Sequence, residues 1–235
     1  RNCLFEIKER LLFSKLRNLI YLKLSSNQIK RIELVSNRSS NLEKLDLSNN
    51  RLFTFESTSS HFYKLTYLDL SWNADLKQIR IAGQNLNHLS LNGNRKVVIL
   101  NRKETFPNIS YLFLSNIERF SQIGSNNIFP GLIELDLSNT KLTNETVDFL
   151  LNAKQSLAKL LLRNATVEFN LSFLSDFTNL AELDLSFCQS KMNSEKSLLN
   201  GLLKLETVSI NHAYFDSERN TNSSFFEDNE QYFLS

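Results

Sequence analysis

Three histidines and two cysteines are the only side chains in this 235-residue sequence suited to soft-metal ligation or nucleophilic attack near neutral pH. His61, His88 and His212 stand far apart, with none of the short spacings that bring ligands onto one metal. Cys3 and Cys188 lie towards opposite ends and are not expected to pair; Cys188 reads as a buried structural thiol. Serine is abundant but never sits in a nucleophile-elbow context, and the five glycines are too scattered to form a phosphate-cradling loop. Glu134 with Asp136, and Glu182 with Asp184, bring carboxylates together, but on segments that read as one open face. Acid–base catalysis needs a cleft that separates the pKa values of such a pair. The expectation is therefore a binding protein and not an enzyme, with no cofactor and no metal.

Charge narrows the partner. Twenty-seven basic residues face 25 acidic ones, for a net charge of +2. A protein that grips a phosphate backbone carries a basic excess, so nucleic acid is not the expected partner. No apolar run reaches the ~18–20 residues that span a bilayer, so no membrane span is expected in this segment. The start Arg1-Asn2-Cys3 has no basic-then-apolar leader, and the chain is expected to be a fragment lacking its signal peptide.

The elements that must position any binding side chain come from a repeat. Leu-x-x-Leu-x-Leu-x-x-Asn, or a close variant, begins at Leu19, Leu42, Leu65, Leu86, Ile109, Leu132, Leu157, Leu180 and Leu205, at spacings of 21 to 25 residues. In Leu-x-Leu the two leucines point to one side of an extended strand and the residue between them to the other. A single such strand cannot bury its leucines; stacked neighbours can. A return segment must then carry the chain back to the next parallel strand. Three positions before most repeat starts stands an apolar residue, Leu16, Phe62, Phe106, Phe129, Phe177 or Leu202, expected to fill the core from the convex side.

The expected fold is α/β: a right-handed solenoid, horseshoe-shaped, with a concave parallel β-sheet and a mostly irregular or short-helical convex side. Residues 1–18 read as the end of a preceding repeat, 19–215 as nine repeats, and 216–235 as a polar tail or degenerate repeat. Asn27, Asn50, Asn73 and Asn94 share one slot, where a buried amide satisfies backbone groups of the turn. From the fifth repeat the slot holds Ile117, Thr140, Ala165, Cys188 and Ala213, which predicts a regular ladder in the first half and a looser one in the second. In four repeats the next apolar residue comes late (Leu76, Val97, Phe120, Met192), which predicts small bulges.

These repeats resemble the leucine-rich-repeat superfamily. LTYLDLSWNADLKQI (65–79) and LAELDLSFC (180–188) are similar to the typical extracellular class found in Toll-like receptor ectodomains and chaoptin. The resemblance implies a receptor-like recognition or adhesion module, in innate immunity or cell adhesion, that meets a protein ligand or co-receptor on its concave face, with dimerisation through the solenoid as a further possibility. Tyr67, Trp72, His88, Tyr111 and Phe113, on consecutive strands, form the candidate contact patch, since clustered exposed aromatics mark interaction surfaces. Six Asn-x-Ser/Thr sequons, at Asn37, Asn108, Asn144, Asn164, Asn170 and Asn222, favour an extracellular or cell-surface glycoprotein. An intracellular scaffold or regulatory subunit in the cytoplasm is the alternative.

Overall fold

The computed structural model describes residues 6–8, 18–33, 41–57, 63–81, 85–99, 106–118, 129–191 and 201–216. Each repeat core forms a three-residue strand: Tyr21–Lys23, Lys44–Asp46, Tyr67–Asp69, His88–Ser90, Tyr111–Phe113, Glu134–Asp136, Lys159–Leu161, Glu182–Asp184 and Thr207–Ser209. They join in chain order into one parallel nine-stranded sheet. The register never slips, so the central residues Leu22, Leu45, Leu68, Leu89, Leu112, Leu135, Leu160, Leu183 and Val208 form a single inward column. From Leu45 to Leu183 this column is fully or almost fully buried, as is the second leucine of each pair from Leu47 to Leu185. A one-residue slip in any strand would turn its leucine to solvent, and this fixes the register.

Opposite the sheet, Phe106, Phe129, Phe177 and Leu202 are buried as expected; Leu16 and Phe62 lie outside the described residues. Phe106 and Phe129 stack at 5.0 Å, and Phe129 meets Phe149 edge-on at 5.4 Å. Phe149 belongs to the helix Glu145–Asn152, which with the 3₁₀ turn Leu171–Asp176 provides the helical part of the convex side. The architecture is the expected solenoid, with a parallel sheet on one side and short helical or irregular segments on the other.

After every strand the chain reverses through a left-handed residue in the position before the Asn slot: Ser26, Asn49, Trp72, Gly93, Asn116, Asn139, Asn164, Phe187 and His212, with φ between 53° and 74°. The reversal aims that residue's N–H along the stack. Trp72 N–H donates to the Asn92 carbonyl at 2.7 Å, and Asn139 N–H to that of Arg163 at 2.8 Å. Asn and Gly adopt this conformation readily; Trp72 and Phe187 are bulky residues held there by the ladder.

The two halves solve the next step differently. In the first four repeats a second strand opens four or five residues after the Asn slot: Arg31–Glu33, Thr54–Ser57, Gln78–Ile81 and Val98–Ile99. In the last four it opens on the very next residue: Lys141–Leu142, Thr166–Asn170, Gln189–Lys191 and Tyr214–Asp216. These last four form a continuous parallel sheet. The second half thus keeps a ladder of its own, and its departure from regularity is a register shift between Thr166 and Asn170. Where no Asn side chain bridges the coils, the backbone does so: Gln189 N–H donates to the Ala165 carbonyl at 2.9 Å and Tyr214 N–H to that of Cys188 at 2.8 Å.

The late apolar residues Leu76 and Val97 are fully buried, each after a turn closed by its own N–H to the slot carbonyl, Asn73 or Asn94. Phe120 and Met192 lie outside the described residues. Glu6–Lys8 pairs in parallel with Arg31–Glu33, one coil earlier. The rest of 1–17, and 217–235, lie outside the described residues.

Candidate functional site

The strands place two columns of side chains on the concave surface. One runs Tyr21, Lys44, Tyr67, His88, Tyr111, Glu134, Lys159, Glu182, Thr207; the other Lys23, Asp46, Asp69, Ser90, Phe113, Asp136, Leu161, Asp184, Ser209. Neighbouring strands lie ~4.8 Å apart, so same-column side chains on successive repeats touch.

On the third to fifth strands this contact builds an aromatic cluster. Tyr67 stacks on His88 with centroids 4.3 Å apart and planes at 22°. His88 reaches Phe113 at 4.9 Å and Tyr111 at 6.0 Å. All four are half-buried, with faces left towards solvent. His88 is the centre of the group. Its burial among the rings lowers its pKa from the ordinary histidine value, and the Asp69 carboxylate offsets this only in part. The imidazole is therefore neutral at physiological pH, with one ring nitrogen a donor and the other an acceptor. Burial, reinforced by Asp69 and Asp46, also raises the Tyr67 phenol, so it stays protonated. The cluster is an uncharged apolar surface edged by hydroxyl and imidazole groups, the make-up of an interface anchor.

Trp72 is not part of that group. It occupies the left-handed turn position, 58% exposed, and its ring covers Gly93 so closely that a β-carbon there would lie 2.5 Å from it. Sequence reasoning grouped it with Tyr67 by proximity in the chain; the turn carries it from the concave face to the flank. Phe187 occupies the equivalent position in the eighth repeat, 42% exposed, stacked on His212 at 5.1 Å with the Arg163 guanidinium over its ring at 5.5 Å. That flank cluster was not foreseen. Its only sequence signal is two aromatics in a column otherwise dominated by Asn, Ser and Gly.

The carboxylates of the sixth and eighth strands are already engaged. Asp136 accepts the Ser138 amide at 2.9 Å and Asp184 the Ser186 amide at 2.8 Å, as Asp46 and Asp69 accept from Ser48 and Ser71. Asp in Leu-Asp-Leu-Ser thus closes the turn by an Asx-type bond. Lys159 bridges Glu134 at 3.5 Å and Glu182 at 3.1 Å, and the Glu182 hydrogen bond raises its pKa, holding it charged. Among the described residues, no group of three His, Cys, Asp or Glu side chains could hold a metal ion. Cys188 is a free, fully buried thiol whose pKa burial, with Asp184, pushes up to about 12, which suppresses the thiolate. Among the described residues no helix is long and apolar enough to cross a membrane.

Four sequon asparagines are described. Asn108, Asn144 and Asn164 are exposed, and Asn170 is half-buried at the cap of the 3₁₀ turn, where it accepts the Ser172 amide at 2.8 Å. Asn164 donates to the Asn139 side chain at 2.8 Å. Asn37 and Asn222 lie outside the described residues.

The family model named Leucine Rich Repeat matches residues 41–62, which hold the second repeat. No curated protein matches the chain by sequence. Several solved structures follow a similar chain path. An internalin from Listeria monocytogenes is 15% identical over 86% of this chain and 69% of its own, with a TM-score of 0.48. The structure of the Drosophila Toll–Spatzle complex matches at 17% identity over 92% of this chain and 36% of the matched one, TM-score 0.44. The leucine-rich-repeat ectodomain of the Arabidopsis thaliana receptor kinase GASSHO1/SCHENGEN3 matches at 19% over 85% and 30%, TM-score 0.40. The chain spans less than two fifths of the last two, and at these identities the likeness reaches no further than the repeated coil.

Proposed function

We propose that this leucine-rich-repeat solenoid is a non-catalytic recognition module that takes a protein ligand on its concave face, with Tyr67, His88, Tyr111 and Phe113 as the anchor. The observation that carries the reading is the ring cluster: Tyr67, Tyr111 and Phe113, from three successive strands with His88, each set against the His88 ring and half-buried. Such a surface gains binding energy without the cost of desolvating charge. The charged stretch beyond it, Glu134–Lys159–Glu182, would set register and association rate more than affinity.

The test is selection of a displayed peptide library on the immobilised chain, with the enriched binders measured against Tyr111→Ala and Phe113→Ala. A hot-spot residue is worth ~2 kcal/mol, so a ~30-fold loss is expected in each variant. Binders indifferent to both substitutions overturn the reading.

An extracellular or cell-surface setting belongs to the same proposal, supported by the exposed sequon asparagines Asn108, Asn144 and Asn164. So does self-association of the solenoid, to be read by sedimentation. Expression in a secretory host followed by glycosidase treatment separates this setting from a cytoplasmic scaffold: a mobility shift is expected, and its absence favours the scaffold.

A further inference from the structure

Beside the concave sheet the second strands form three sheets among the described residues, and the last two of these flank the fifth repeat. One of them ends at Val98–Ile99, the next begins at Lys141–Leu142, and the fifth repeat contributes no strand to either among the described residues. On the flank, coils four to seven line a cleft of about 560 Å³. Its wall carries Arg95, Lys96 and Lys141 against one carboxylate, Glu118. This is a local concentration of positive charge in a chain whose net charge is only +2. Lys141 is paired with Glu168 at 2.8 Å. Arg95 and Lys96 are exposed and have no ion-pair partner among the described residues. At the far end of the cleft from Arg95 and Lys96, the left-handed turns of the sixth and seventh coils set Asn139 and Asn164 side by side, the Asn164 amide donating to the Asn139 side-chain oxygen.

We infer that this flank cleft is a second binding site, distinct from the concave aromatic cluster, for an acidic segment of a partner protein. Arg95 and Lys96 supply charge-assisted donors for carboxylates, Arg95 in the planar fork that a carboxylate matches. The amide pair offers donor and acceptor groups to the backbone of a bound segment. Charge complementarity selects the occupant: with Lys141 paired to Glu168, Arg95 and Lys96 against Glu118 leave a net positive wall that repels a basic segment and attracts an acidic one. Asn164 and Thr166 of one sequon both line the cleft, so a glycan at Asn164 would compete for the same space.

The experiment uses the aglycosylated chain and two labelled probes, an oligo-glutamate peptide and the matching oligo-glutamine peptide, measured by fluorescence anisotropy. The oligo-glutamate peptide is expected to bind more tightly, to weaken as salt rises, and to lose at least ~10-fold in affinity in the Arg95→Glu/Lys96→Glu double variant. Tyr111→Ala/Phe113→Ala should leave it unchanged, so failure here and failure of the concave-face reading are distinguishable. Both cations are exposed, so the double variant should keep the wild-type melting midpoint; if it does not fold, Arg95→Gln/Lys96→Gln gives the same readout. Equal binding of the two peptides, or indifference to the double variant, overturns the proposal. So does tighter, equally Arg95-sensitive binding of a uronate oligosaccharide, which would assign the cleft to carbohydrate.

Discussion

The first four coils and the last four bury the same leucines on the same sheet, yet they join their turns by different chemistry. In the first half a side chain joins the backbone bonds such as Arg51 N–H to the Ile29 carbonyl. Asn50 accepts the Ile29 amide at 3.0 Å and donates to the Leu24 and Leu47 carbonyls at 2.9 and 3.0 Å. Asn73 repeats the pattern with Leu52, Leu47 and Leu70. In the second half Ala165, Cys188 and Ala213 have no such group, and the strand moves up to the slot so that the backbone bonds directly from coil to coil. Buried polar groups must be paired, but the pairing can come from either source. An Asn ladder holds the following strand away; its absence lets the strand begin at once. The fifth repeat lies at the change, with buried Ile117 in the slot, and is one of the coils that line the flank cleft.

The largest effect that would test this contrast is Asn73→Ala. The side chain is fully buried, and its loss strands the Leu52 amide and removes one of the two Asn donors from each of the Leu47 and Leu70 carbonyls, which keep Asn50 and Asn94. A cost of about 3 kcal/mol is expected from chemical denaturation. A cost below that of any slot substitution in the second half would break the comparison. Ala165→Asn sharpens it from the other side. Ala165 is 1% exposed and its carbonyl already pairs with Gln189, so an added amide must displace the strand; a loss of about 2 kcal/mol is expected in the same assay. Stabilisation would mean that the two turn types are interchangeable.

Thr140 is intermediate, its hydroxyl directed at the Leu114 and Ser138 carbonyls, both at 3.3 Å. Thr140→Ala should cost about 1 kcal/mol, between the two extremes. The smallest effect contrasts the concave stretches. The His88 pKa is lower in the folded chain than its ordinary 6.5, so the folded state binds fewer protons than the unfolded one as pH falls through that range. Stability therefore drops below about pH 6.5, and the penalty is complete below the folded value. His88→Gln should flatten the acid limb of the melting midpoint; an unchanged limb would place the titration elsewhere.

The repeat, its strands and the inward leucine columns were legible in the sequence because a two-residue alternation on a ~23-residue beat has few other ways to bury its apolar face. The cluster of Tyr67, His88, Tyr111 and Phe113 was legible for the same reason: once the register is known, same-column neighbours follow. Trp72 was misplaced because proximity in the chain says nothing about a left-handed reversal two residues after the strand pair. The Asp residues of Leu-Asp-Leu-Ser hid their structural role because an Asx bond leaves no periodic trace.

Local pattern alone determined that this chain stacks, which residues face inward, and which ones line the concave surface. Only the tertiary structure decided how the turns are bridged, where each second strand begins, and that a cationic cleft opens on the flank. Those outcomes depend on which coil supplies a donor or acceptor to its neighbour, and that is a property of two coils together that neither one encodes by itself.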